Sequence, residues 1–341
     1  MEIRDKIVLV ELGISQWTAR KYDRAASATT AEAYGADSSA GRYNKVLIAQ
    51  AELAKIGKLV GSLRTYHYNS TLPYRNGQAI LTTALLPEYM GKVREYKDKI
   101  YAAVDELVSN YNALKSDAKK NLGGLYNELD YPSPMAVRRK FGVNVDFTPV
   151  PAGSDLRIAV SEDELHEMQQ DIETRVRESL QSATDELWNR LYRATAKIVE
   201  RLTPEDGKDK IFRDSLVENV REIADLLPKL NFTGDQRLND LAAEIGMELG
   251  RHDAQRLRED RAIRGTVRDR ANDILAKIDR IKHESAPQDP EPEKTALQDA
   301  REGAQKETDD RAVTPETVTP APINVDANDE RLAKLRAAGI L

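Results

Sequence analysis

From Leu165 to Leu202 an apolar residue returns every three or four positions: Leu165, Met168, Ile172, Val176, Leu180, Ala183, Leu187, Leu191, Ala194, Ile198 and Leu202. The mean step is 3.7 residues, the mark of one face of an α-helix. That period lies nearer an 11-residue repeat than a heptad, so the spacing predicts a rod that runs straight or coils slightly right-handed. Ser161 with Glu164 forms a capping box ahead of it, and Glu162 and Asp163 favour the positive end of a helix. At a rise of ~1.5 Å per residue the rod is roughly 57 Å long. So long an apolar edge needs cover, from another helix of the chain or from a helix of a second chain. The expected fold is mainly α: long amphipathic helices in a coiled-coil-like or bundle arrangement.

Other segments follow the same grammar. Ile3 to Trp17 reads as a strand or a short helix, with nothing to decide between them, and residues 23–42 read as a weak helix breaking into a loop. A helix is expected from Tyr43 to the turn region at Asn69–Asn76, and a second after Leu86-Pro87-Glu88, stopped by Gly123-Gly124. Together these make an N-terminal helical region, 1–130. Residues 131–160 contain Pro132, Pro134, Pro149 and Pro151, and alternate over Val143–Phe147 and Leu156–Val160, which predicts a small β-hairpin insertion near 143–160. Helices at 208–230, 236–250 and 254–283 complete a long-helix bundle region, 161–283.

From residue 284 the character changes. Residues 284–327 are rich in Pro, Asp, Glu and Gln and poor in large apolar residues, which predicts a disordered acidic linker. Residues 328–341 regain a helical pattern, with Leu332 and Leu335 on one face and Ile340 and Leu341 at the end. A helix this short is marginal alone, so the reading is a peptide that folds on a partner through Leu332, Leu335, Ile340 and Leu341. The formal net charge of -6 arises entirely after residue 283, where 13 acidic residues face 7 basic ones.

Composition excludes several chemistries. With no cysteine there is no disulfide framework, thiolate nucleophile or Cys-based metal site. No phosphate-binding glycine loop occurs, and no segment approaches the ~18 apolar residues of a membrane span. The expectation is a cytoplasmic protein without cofactor or metal, and not an enzyme. Glu162 and His166 stand one turn apart, but no second histidine completes a metal pair, so a solvated helix start is the reading preferred. Nine of 13 tyrosines fall between Tyr66 and Tyr131. Core packing accounts for Tyr89, Tyr96 and Tyr111, leaving Tyr66, Tyr68 and Tyr74 as exposed stacking candidates. With the basic run Arg138, Arg139 and Lys140 and the basic helix 251–283, these define an alternative reading as a nucleic-acid-binding protein.

Several phrases, in order, resemble a bacteriophage and proteobacterial family known as a domain of unknown function. They are Leu12-Gly-Ile-Ser-Gln-Trp17-Thr-Ala-Arg20-Lys21, then Thr71-Leu-Pro73-Tyr74, then the tyrosine-bearing helix after Leu85-Leu86-Pro87. Tyr131-Pro132, Lys140-Phe141 and Phe147-Thr-Pro149-Val-Pro151, leading to Asp155-Leu-Arg157, complete the match, which covers about residues 5–200. The chain departs from the family pattern at Ala19, where glycine is frequent, and at Tyr74, where tryptophan is. The resemblance implies partners: family members are often encoded near a MoxR-type AAA+ ATPase and a von Willebrand A-domain protein similar to cobalt-chelatase subunits. It implies no activity for particular residues. The expected role is thus a phage-type helical scaffold or interaction protein, in the host cytoplasm if phage-encoded, self-associating or packing on such partners.

Overall fold

The opening segment, read as a strand or a short helix, holds both: a 3-10 helix at Ile3–Lys6 and then a strand, β1 (Ile7–Ser15). The computed structural model describes residues 3–205 and 208–285. Strand β2 (Arg20–Tyr22) pairs with β3 (Asn44–Val46), and helix α1 (Arg24–Ala33) lies between them in sequence. Helix α2 (Gln50–Ser70) is followed by β4 (Leu72–Pro73) and β5 (Ala79–Thr82). The second long helix is two, α3 (Leu86–Ser109) and α4 (Tyr111–Leu122), meeting at Asn110 and ending at Gly123. After α5 (Pro134–Arg138) and β6 (Gly142–Thr148) comes the rod, α6 (Glu162–Leu202). Then follow α7 (Ser215–Leu230), α8 (Gln236–Ile245) with a π-helical turn at Gly246–Gly250, α9 (Ala254–Glu259) and α10 (Arg261–Ser285). Mainly α with a small antiparallel sheet, this is the class expected. Among the described residues no helix is long and apolar enough to cross a membrane.

The sheet order is β4-β5-β1-β6. A strand forms where the hairpin was expected, but its partner is distant: β6 pairs antiparallel with β1 from Leu9↔Thr148 to Ser15↔Gly142. Residues 156–160 carry no strand. Pro149 and Pro151 lack the N–H groups that would continue the ladder. The chain then turns onto α6, where the Gly153 N–H donates to Glu173 Oε1 at 2.8 Å. A Cβ at Gly153 would stand 2.8 Å from the Gln169 carbonyl oxygen, so only glycine allows this approach. Residues from the segments read separately as 1–130, 131–160 and 161–283 belong to one unit, 1–285.

Helix α6 begins as expected: the Ser161 N–H donates to Glu164 Oε2 at 3.2 Å and Ser161 Oγ accepts from the Glu164 N–H at 3.4 Å. Its 41 residues span about 61 Å. The chain itself covers the apolar edge, since α7 and α10 pack along it. Val176, Ala183, Leu187, Leu191, Ile198 and Leu202 are buried, whereas Met168 near the start is exposed. The far end is held by Arg264 of α10, whose buried guanidinium donates to the carbonyls of Arg201 (3.0 Å), Leu202 (3.4 Å) and Lys210 (2.8 Å). Those carbonyls are the unpaired acceptors left at a helix C-terminus and just beyond it. The Phe212 ring lies between Arg264 and Arg258, at 5.4 and 5.3 Å from their guanidinium carbons.

A second polar knot fixes the N-terminal part. Lys45, buried, reaches Asp130 at 2.5 Å, Asp23 at 2.8 Å and the Leu125 carbonyl at 3.1 Å, while Lys21 adds a 2.7 Å pair to Asp130. Burial pushes the Asp130 carboxyl up, but hydrogen bonds from Lys21 and Lys45 outweigh it and leave it below its ordinary value.

Ala19, fully buried, sits at φ +49°, a left-handed conformation that disfavours any Cβ. Relief of about 1–2 kcal/mol of backbone strain offsets about 0.8 kcal/mol of lost methyl burial and about 0.5–1 kcal/mol of glycine entropy. Ala19→Gly should therefore be neutral within about 0.5 kcal/mol, while Ala183→Gly, buried in mid-helix, should cost about 2 kcal/mol. Arg264→Leu should cost about 3 kcal/mol, because three carbonyls lose their donor. Urea unfolding monitored by circular dichroism reads all three. Equal losses at Ala19 and Ala183 would contradict the left-handed assignment.

Candidate functional site

Helices α6 and α7 pack side by side, and the end of α2 closes one end of the groove between them. The apolar wall comes from α7. Leu216, Val220, Leu227 and Leu230 are buried against the core, while Ile223 and Leu226 are half-buried and line the opening. The opposite wall is polar and comes from α6: Glu186, Arg190, Arg193 and Lys197. The cleft has a volume of ≈ 480 Å³, and a smaller one of ≈ 320 Å³, lined by Lys197, Arg201, Ile211, Arg213, Leu216 and Asn219 among others, continues it. From Glu186 to Arg201 along α6 the groove measures roughly 22 Å at ~1.5 Å per residue. Two exposed side chains mark its ends, Tyr68 at 65% and Ile211 at 90% exposure.

Arg190 ties down the α2 end. Its guanidinium donates to the carbonyls of Tyr68 (3.0 Å), Asn69 (2.9 Å) and Thr71 (2.7 Å), which close the C-terminus of α2. Its Nε faces Glu186 at 3.2 Å. Burial pulls the Arg190 pKa down, and Glu186 opposes that. Glu186 also takes Arg193 at 2.5 Å, so both cations share one carboxylate. Asn69 donates to Glu222 across the groove at 3.3 Å. Toward the other end, Glu200 faces Lys197 at 2.7 Å and Arg201 at 3.6 Å.

The expected nucleic-acid residues are held by different partners. Arg138 is held by Asp105, with Nε–Oδ1 at 2.6 Å, and lies over the Tyr101 ring at 5.8 Å. Arg139 and Lys140 are exposed beside it. Tyr66 stacks on Tyr89 at 6.0 Å and meets Tyr96 at 6.4 Å. Along α3 those contacts run from Tyr89, about 18 Å from Tyr101, to Tyr96, about 8 Å from it. Tyr66 and Tyr74 are half-buried against the core, so of the three expected exposed rings only Tyr68 is open. Leu332, Leu335, Ile340 and Leu341 lie outside the described residues, as do the linker 284–327 from residue 286 and the peptide 328–341. His166 is exposed and bonded to Gln170 at 2.7 Å. Among the described residues no group of three metal-ligating side chains gathers.

Sequence reasoning missed the groove's cations, although their spacing was legible. Arg190, Arg193, Lys197 and Arg201 follow steps of three, four and four, the same period as the apolar stripe beside them. No family model, curated protein or solved structure matches the chain.

Beneath the α2 end, His67 is buried and its Nδ1 lies 2.8 Å from the Tyr89 hydroxyl. Burial lowers the His67 pKa and raises that of Tyr89. An unfolded histidine titrates near ~6.5, so below that pH the unfolded chain takes up a proton before the folded chain does. Stability is therefore full above about pH 6.5 and falls as pH drops toward the lowered folded value. His67→Gln should flatten that decline, leaving the part due to His252, whose pKa is lowered by burial and by Arg251 and Arg256. Urea unfolding at about pH 7.5 and about pH 5.5 measures it. An unchanged difference between the two would assign the effect elsewhere.

Proposed function

We propose that this protein is a non-enzymatic helical interaction protein that holds a helical segment of a partner in the α6–α7 groove. The observation that supports this reading is the groove's form: an apolar wall with half-buried Ile223 and Leu226, facing a polar wall, over a length of roughly four helical turns. A helix laid into such a groove buries an apolar face at positions i, i+3, i+4 and i+7, which is how helix-in-groove recognition works. Rigid walls favour it further, since Arg190 fixes the α2 end and Arg264 the α6 end, so little ordering cost falls on this side of the complex. The resemblance adds the partners to try first, a MoxR-type AAA+ ATPase or a von Willebrand A-domain protein.

A photo-crosslinking residue placed at Ile223 tests the reading in expressing cells, with the same residue at exposed Met247 as control. The expected outcome is a discrete protein adduct from position 223 that is lost on adding Leu226→Asp, with unchanged far-ultraviolet circular dichroism. Equal adducts from both positions, or none from 223, would remove the groove as a docking site.

A further inference from the structure

We infer that the groove's occupant is an acidic amphipathic helix running parallel to α6, with its carboxylates and C-terminal end at Arg201 and Arg213. The inference rests on the docking reading above and adds the partner's charge and polarity. At the α2 end the charges cancel: Glu186 is shared by Arg190 and Arg193, and Glu222 stands opposite. At the other end they do not. Lys197 and Arg201 share the single carboxylate of Glu200, and Arg213 makes no ion pair among the described residues. Among the described residues that line this end, two positive charges stand in excess.

Two helix ends sharpen the same gradient. The N-terminus of α7, at Ser215, opens beside Arg213, and the Asp214 side chain makes no cap there because Arg258 engages it. The α7 amide groups therefore add positive potential at this end. The negative C-terminal carbonyls of α6 would offset it, but Arg264 occupies them. A bound helix carries its own dipole, negative at its C-terminus. Its lower-energy orientation sets that end, and any aspartates or glutamates near it, against Arg201 and Arg213. Ile211, exposed beside Arg213, supplies an apolar contact at the same mouth. The apolar wall of Leu216, Val220 and Ile223 favours a side-chain stripe over a phosphate backbone, which would leave it wet.

The test uses the full chain and four-turn designed peptides with one leucine stripe. Three isomers carry glutamates in the C-terminal half, glutamates in the N-terminal half, or lysines in the C-terminal half. Fluorescence polarisation should rank the first tightest, by about fivefold over the lysine peptide at low salt. Arg201→Glu with Arg213→Glu, both at exposed or half-exposed positions, should reverse that order while far-ultraviolet circular dichroism at the assay temperature stays unchanged. A crosslinker on the first peptide's C-terminal residue should mark residues 211–213 rather than Tyr68 and Asn69. Equal affinity for all isomers, each still sensitive to Ile223→Asp, would overturn the acidic, oriented partner and leave the groove reading standing. Binding of no peptide, with Ile223→Asp without effect, would remove both. Displacement of the peptide by a thymidine oligonucleotide, lost in the double variant, would assign the basic end to phosphate and overturn the inference.

Discussion

Every long helix in this chain ends against a carbonyl problem, and arginine solves it at the places that matter. Arg190 closes α2, Arg264 closes α6, and Arg221 reaches the carbonyls of Gly250 and His252 beyond α8. A guanidinium offers five donors in a rigid fork, so one side chain satisfies two or three unpaired acceptors at once. Burying such a charge is costly alone, and it is offset here by hydrogen bonds to several carbonyls whose dipoles favour a cation. The consequence is architectural. Each of these arginines belongs to a different helix from the one it closes, so helix termination and tertiary packing become one event. Helix α6 cannot shift along α10 or α2 without breaking its own end or theirs.

This coupling explains what was legible in the sequence and what was not. The start of α6 is local: Ser161, Glu164 and the apolar stripe specify it within one stretch of chain, and it stands where the pattern predicts. Strand β6 was half legible. Its alternation announced a strand, but its partner β1 lies more than a hundred residues earlier, and pairing at that separation leaves no local trace. The prolines after Thr148 do more than break a helix: they end the pairing and send the chain to Gly153 on α6. Arg264 was least legible of all. Within residues 251–283 it looks like one more base among interleaved acids, and only the fold reveals that it is buried. The same reading held for its neighbour Arg268, which is paired to Asp269 at the surface. Nothing in the run of residues separates the two, because the distinguishing partners are the carbonyls of Arg201, Leu202 and Lys210.

Tyrosine shows the opposite error. Tyr66 and Tyr74 were read as exposed because no apolar stripe claimed them. Tyr66 instead stacks on Tyr89 and meets Tyr96 at a tilt, so the ring is half-buried between α2 and α3. The sheet draws in Tyr74, whose N–H donates to the Gln78 carbonyl across the β4–β5 turn at 3.2 Å.

The groove between α6 and α7 follows from these constraints rather than standing beside them. An apolar stripe with a 3.7-residue step stays nearly straight along a 41-residue helix, so the polar residues flanking it also line up in a row. Arg190, Arg193, Lys197 and Arg201 are that row. The first is consumed in closing α2, which neutralises one end of the groove. The last stands beside carbonyls already taken by Arg264, which leaves the other end positive. The charge gradient of the groove is thus set by how two helix termini are closed, and the helices that frame it are oriented by the same arginines. A partner that reads the gradient would also be reading the spine of the fold. For that reason a change at Arg190 or Arg264 would disturb the closure of a helix and the charge of the groove together, whereas a change at exposed Arg213 would alter the charge alone.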